Sequence, residues 1–159
     1  MLDNIKKLYI FGFLYSISFF GAVSLPFFLD WGKLSYTQIF LIQLWFSLWI
    51  VILEVPTGVI ADKIGRKKTL VISAFAASLG VLIYGSYPSI YIFLLGDLIL
   101  AIGVALKSGA DKAMLYDTLV ELKKTKEAKH FFSRYVLAHT MGLIVALPIG
   151  SMIAGSNIL

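Results

Sequence analysis

The stretch EVPTGVIADKIGRKK, Glu54 to Lys68, decides how this chain folds. An apolar run carrying one acid and a Pro-x-Gly passes, with no linker, into Asp, Gly and a cluster of Arg and Lys. Upstream, the apolar character reaches back to Tyr36; downstream, a second apolar run opens at Thr69. Both match the roughly 20 helical residues that cross a hydrocarbon core about 30 Å thick. The basic cluster therefore marks a membrane edge between two spans.

Composition agrees. The 159 residues are 59% hydrophobic and 14% charged, with a mean hydropathy of +0.88. Soluble domains carry roughly 25% charge and about 45–50% apolar residues, so lipid is the solvent this surface suits. There are no cysteines, which excludes disulfides, a thiol nucleophile and a cysteine metal site. No nucleotide loop, nucleophile elbow or His pair at metal spacing occurs, and His130 and His139 lie nine residues apart across a membrane boundary. The expectation is a protein that is not an enzyme and carries no metal or other cofactor.

Five apolar spans are expected, near 8–29, 36–61, 69–87, 90–109 and 131–155. Each is apolar on both faces for about twice the length of a barrel strand, so the spans are helices. The fold class is an all-α, polytopic membrane protein with one helix bundle over residues 1–159. The first span is also longer than the apolar core of a signal peptide, about 7 to 15 residues.

Every Lys and Arg except Lys33 falls at the amino terminus or in or beside the second and fourth connections. That pattern places the N-terminus in the cytoplasm and, after five spans, the end of this chain outside the cell membrane. Short basic clusters at membrane edges also argue against a nucleic-acid partner, which would require an extended basic stripe.

Helices in lipid associate through small residues and through polar groups that need partners. In the fifth span Gly142, Ala146, Gly150 and Ala154 recur every fourth residue, with Pro148 inside the stripe as a candidate bend. The third span carries Ser73, Ala76, Ala77 and Gly80; the fourth carries Ala101, Gly103, Ala105 and Gly109. Four ionisable groups lie within spans, Glu54, Asp97, Arg134 and His139. Because such groups are costly in lipid they are expected to face the bundle interior or a wet cavity. Arg134 is near enough to the inner edge to snorkel, and for His139 an interhelical hydrogen bond competes with a proton relay. Asp97, seven residues into the fourth span, is a candidate proton-binding carboxyl; a structural pair with a basic residue on another helix is the competing role. Lys107 and Asp111, spaced i, i+4, can pair on their own helix.

At the opening stretch, Glu54, Gly58 and Asp62 share one helix face. Gly65 can turn the chain at positive φ, and a new helix is expected from Lys68 or Thr69. Asp62 and Arg66 can hold two helix groups together at the membrane edge and must release for that side to open.

Gly58 to Lys68 also resembles the loop motif between the second and third helices of the major facilitator superfamily, G-x-x-x-D-[RK]-x-G-R-[RK]. Gly58, Asp62, Lys63, Gly65, Arg66 and Lys67 all match. EVPTG and SGADKAMLYDTL, Ser108 to Leu119, are similar to a multidrug or sugar-efflux branch of that family. The resemblance implies a secondary transporter that moves a small solute by alternating access, driven by protons or facilitated. The matching residues, with Asp111, would form its cytoplasmic gate. Two patterns depart: Asp97 stands where the family often has Arg, and the fifth span has only part of a G-P-x-x-G motif.

Members of the family have twelve helices, so the resemblance implies an N-terminal portion, five helices of the first half, inactive alone without its C-terminal half or another membrane subunit. The alternative is a small polytopic protein that acts as an assembly or regulatory subunit. The expected surroundings are the lipid bilayer and, in a complete transporter, a small-molecule solute.

Overall fold

The computed structural model describes residues 2–157, with side chains from Asn4 to Ile153 and at Gly155. The described chain is helical throughout apart from short turns. Its elements are α1 (Leu2–Ser16), α2 (Phe20–Pro26), a π-helical turn (Phe27–Trp31), α3 (Tyr36–Ile64), α4 (Arg66–Tyr84), α5 (Ile90–Glu121), a 3-10 turn (Thr125–Glu127) and α6 (Ala128–Asn157). The all-α class holds, and five helical stretches are long and apolar enough to cross a membrane. The Ala154 position of the fifth-span stripe lies outside the described side chains.

Three boundaries differ from expectation. The first span is interrupted: α1 ends at Ser16 and α2 restarts at Phe20. Ser16 bonds back to the Gly12 carbonyl at 2.6 Å, and Ser18 N closes onto Ser16 O at 2.8 Å. Serines that offer the backbone local partners compete with the helical ladder. Pro26, which lacks an N–H, ends α2, and the wider π turn follows with Gly32 N on Phe27 O at 3.0 Å.

The α3 to α4 reversal is tighter than expected, using Gly65 alone. Its φ is +91°, its N–H reaches Ala61 O at 3.1 Å and its carbonyl accepts from Thr69 N at 3.1 Å. One glycine thus closes one helix and opens the next, so α4 begins at Arg66 and not at Lys68 or Thr69. The third difference is α5, which continues to Glu121, twelve residues past the expected end at Gly109. Ala110, Asp111, Leu115, Thr118 and Leu119 are buried at helical spacing there. Polar residues between them disguise an amphipathic turn sequence as a loop.

The described chain divides into two compact units, Phe27–Met114, and Met1–Pro26 together with Leu115–Leu159. In the first, α3, α4 and the leading part of α5 form a three-helix cluster. Trp45 Nε1 donates to Leu94 O at 3.1 Å, and Thr57 Oγ1 lies 3.2 Å from Ala105 O, so α3 and α5 run parallel. Small residues of the third and fourth spans meet, antiparallel. A Cβ on Gly80 would lie 2.9 Å from Gly96 O, and one on Gly103 would lie 2.7 Å from Ala77 N.

In the second unit α1 and α2 pack on α6. The expected fifth-span seam is the contact surface: Gly142, Ala146 and Gly150 are buried. A Cβ on Gly142 would sit 2.4 Å from Phe13 O, and one on Gly150 would sit 2.6 Å from Phe19 O. Gly150 therefore lets α6 lie directly against the break in the first span. Pro148 is exposed, and α6 runs through it without interruption.

Candidate functional site

The first unit holds the two features with chemical content. At its centre, Tyr84, the last residue of α4, donates its hydroxyl hydrogen bond to Asp97 Oδ1. Asp97 is 3% exposed, and its Oδ2 is buried and makes no hydrogen bond. The pairing follows from local sequence. Gly96 precedes Asp97, and a Cβ there would lie 3.1 Å from Tyr84 Cδ1, so only a very small residue lets the ring lie across α5.

Aromatic rings enclose the pair. Phe28 and Phe93 are fully buried, and both meet the Tyr84 ring, edge-on at 5.8 Å for Phe28 and tilted at 6.1 Å for Phe93. Among the described residues the partner of Asp97 is a neutral phenol and not a basic side chain. An uncharged donor satisfies one carboxyl oxygen without neutralising the group. That arrangement can hold and release a proton, or accept a donor from a ligand.

At the α3–α4 junction, Asp62 and Arg66 meet at 3.4 Å, with the Asp62 side chain 71% exposed. Lys63 and Lys67 are exposed beside them. An exposed i, i+4 pair contributes little to stability, at most about 1 kcal/mol. Gly58, one turn earlier, is approached by α5 from one side only: a Cβ on Gly109 would lie 3.3 Å from Gly58 Cα. A Cβ added at Gly58 would meet no described atom of a neighbouring element within 4 Å.

Asp111, grouped with the gate by resemblance, is buried on α5 and pairs with Lys107 at 3.5 Å, as the i, i+4 spacing allows. Among the described residues Glu54 and Arg134 are exposed, Glu54 on the α3 face it shares with Gly58 and Asp62 and Arg134 on α6. Inward positions on those turns are taken by Thr57 on α3 and by Phe131 and Tyr135 on α6. His139 is half-buried on α6. Gly142 and Gly150 are packing residues of the α1–α6 seam, as above.

Sequence inspection passed over Tyr84, Trp45 and Trp49. A Gly-Asp pair in mid-span followed a short connection after a terminal tyrosine, which signals a ring laid over the glycine. The tryptophans give a signal in their i, i+4 spacing, which places both on one face of α3. Comparison of the chain with family models, with curated proteins and with solved structures returns no match.

Proposed function

We propose that the chain is part of a secondary transporter of the major facilitator type, which carries a small solute across the cell membrane by alternating access. The observation that carries this is the face of Gly58 and Asp62. No contact among the described residues requires a glycine at 58, and the Asp62 carboxylate points largely into the open. Both identities make sense if a second helix group docks on that face and leaves it during a cycle. Asp97 supports coupling to protons, since it is a carboxyl enclosed within a span and held by a neutral donor. The distribution of Lys and Arg supports a cytoplasmic amino terminus and a cytoplasmic α3–α4 junction.

This chain has no cysteine of its own, so a cysteine introduced into it is its single labelling position. Ser108→Cys, on the α5 turn beside the Gly58–Gly109 contact, reports opening of that side when the protein is expressed from its own gene in native membranes. Asp62→Asn should raise its labelling by a membrane-impermeant maleimide from the cytoplasmic side severalfold. An unchanged labelling rate in Asp62→Asn would count against a latch at this position.

A further inference from the structure

Two buried polar atoms of the first unit make no hydrogen bond and are complementary: Asp97 Oδ2, an acceptor, and Trp49 Nε1, a donor. They lie on parallel neighbours, α5 and α3. The register between those helices is set on both sides, by Trp45 on Leu94 and by Thr57 beside Ala105. From these anchors Trp49 lies four residues beyond Trp45, about 6 Å along the axis, and Asp97 three beyond Leu94, about 4.5 Å. The two groups are therefore level to within about 1.5 Å. Trp45 and Trp49, at i and i+4 and in ring contact at 5.4 Å, share the α5-facing side of α3.

Leaving a buried polar group without a partner is costly. Two such groups of opposite hydrogen-bonding sense at one level of a three-helix cluster therefore point to a shared occupant. The chemistry restricts what that occupant is. The indole N–H only donates, and an ionised carboxylate only accepts. An ammonium group has no acceptor for Trp49, and an anion would be repelled by Asp97. A hydroxyl serves both, donating to Asp97 Oδ2 and accepting from Trp49 Nε1. We propose that Trp49 and Asp97, with Tyr84 holding the second carboxyl oxygen, form a binding site for a neutral hydroxyl group, carried by a bound water or by a polyhydroxylated solute. Trp45 packs on Trp49, and Phe93 meets Tyr84, so apolar rings flank both polar groups. The site stands on the geometry of the first unit and holds whether or not the chain is a carrier.

The test needs no transport. With ¹⁵N-labelled indoles in detergent micelles the chain gives three indole resonances, assigned by Trp31→Phe, Trp45→Phe and Trp49→Phe. The Trp49 indole proton should show a cross-peak to water or a saturable shift on titration with D-glucose, whereas Trp45, bonded to Leu94 O, should show neither. A glucose-dependent shift identifies a solute hydroxyl, and a persistent water cross-peak without one identifies bound water. Asp97→Asn should abolish the cross-peak or weaken the glucose response about tenfold or more. Absence of both signals in the wild-type protein, or a Trp49 shift with tetramethylammonium and none with glucose, overturns the site. The wild-type measurement decides even where Asp97→Asn fails to fold.

Discussion

Alanine at Gly103 should leave the protein less stable than alanine at Gly58, although both positions lie inside apolar helices. At Gly103 the new methyl would meet Ala77 N at 2.7 Å, Ser73 O at 2.9 Å and Ala77 Cα at 3.1 Å. All three are backbone or backbone-attached atoms of α4, which cannot rotate away, so the helices must separate. Overpacking of that kind costs about 1–3 kcal/mol. At Gly58 the methyl would meet no described atom within 4 Å. Replacing glycine by alanine in a helix interior gains about 1 kcal/mol at either site, so this gain cancels between the two variants. Gly103→Ala should therefore be less stable than Gly58→Ala by the packing cost alone, about 1–3 kcal/mol. Against wild type, Gly58→Ala should be neutral or up to about 1 kcal/mol more stable. Reversible unfolding in mixed micelles of rising SDS content, followed by helicity, measures both. Equal stabilities, or a greater loss in Gly58→Ala, would refute the assignment of Gly103 to a tight seam and Gly58 to an open face. Under the proposed carrier function, Gly58→Ala should fold as well as wild type and still transport more slowly, because the glycine then serves a contact formed only in the cycle.

Gly65→Ala should lose about 1–3 kcal/mol in the same assay, since a backbone at φ +91° and ψ 136° is strained for any residue with a Cβ; an unchanged midpoint would contradict the one-residue junction. Tyr84→Phe should cost about 1–3 kcal/mol, because it removes the donor from a buried carboxyl oxygen while keeping the ring. A variant as stable as wild type would show that Asp97 has another partner. Asp62→Asn should leave stability within about 0.5 kcal/mol, as expected of an exposed pair, while changing maleimide labelling at position 108. A large stability loss would make Asp62 structural instead.

The all-α class and the five apolar stretches were legible because each is uniformly apolar over a membrane's thickness, a signal that does not depend on tertiary detail. The seams were legible for a similar reason: Gly142, Ala146 and Gly150 repeat every fourth residue, and close backbone approach in lipid demands small residues. Helix ends were harder. The break after Ser16 depends on serine hydrogen bonds that replace the helical ladder locally, and hydropathy does not register them. The end of α5 at Glu121 was hidden because its last turns are amphipathic and carry charge, which resembles a loop when only apolar length is counted. Of the site, Asp97 stood out as an acid among apolar residues. Tyr84 did not, because its role depends on Gly96 opening a place for its ring. Glu54 and Arg134 were harder to place, because an ionisable residue in an apolar run does not reveal which face it occupies, and the buried positions here are taken by Thr57 and by Phe131 and Tyr135.

The glycines link these levels. Gly80, Gly96 and Gly103 bring α4 and α5 to backbone contact along one line. Because the helices touch there, Asp97 beside the seam is shielded from bulk solvent. The same closeness lets the Tyr84 ring reach over Gly96 and supply a hydrogen bond to Asp97. Packing and polar chemistry are thus one feature: the small residues that assemble the three-helix cluster also isolate its acid. A residue larger than glycine at 96 would displace the ring, uncouple Tyr84 from Asp97 and leave a carboxyl with two oxygens in need of donors. Gly58 stands outside this logic. Its side faces open space, next to an exposed acid at Asp62, where neither packing nor burial demands either residue. Under the proposed carrier function, Gly58 and Asp62 serve a helix group that docks at the basic end of α3, which would account for two identities that the folded unit itself does not require.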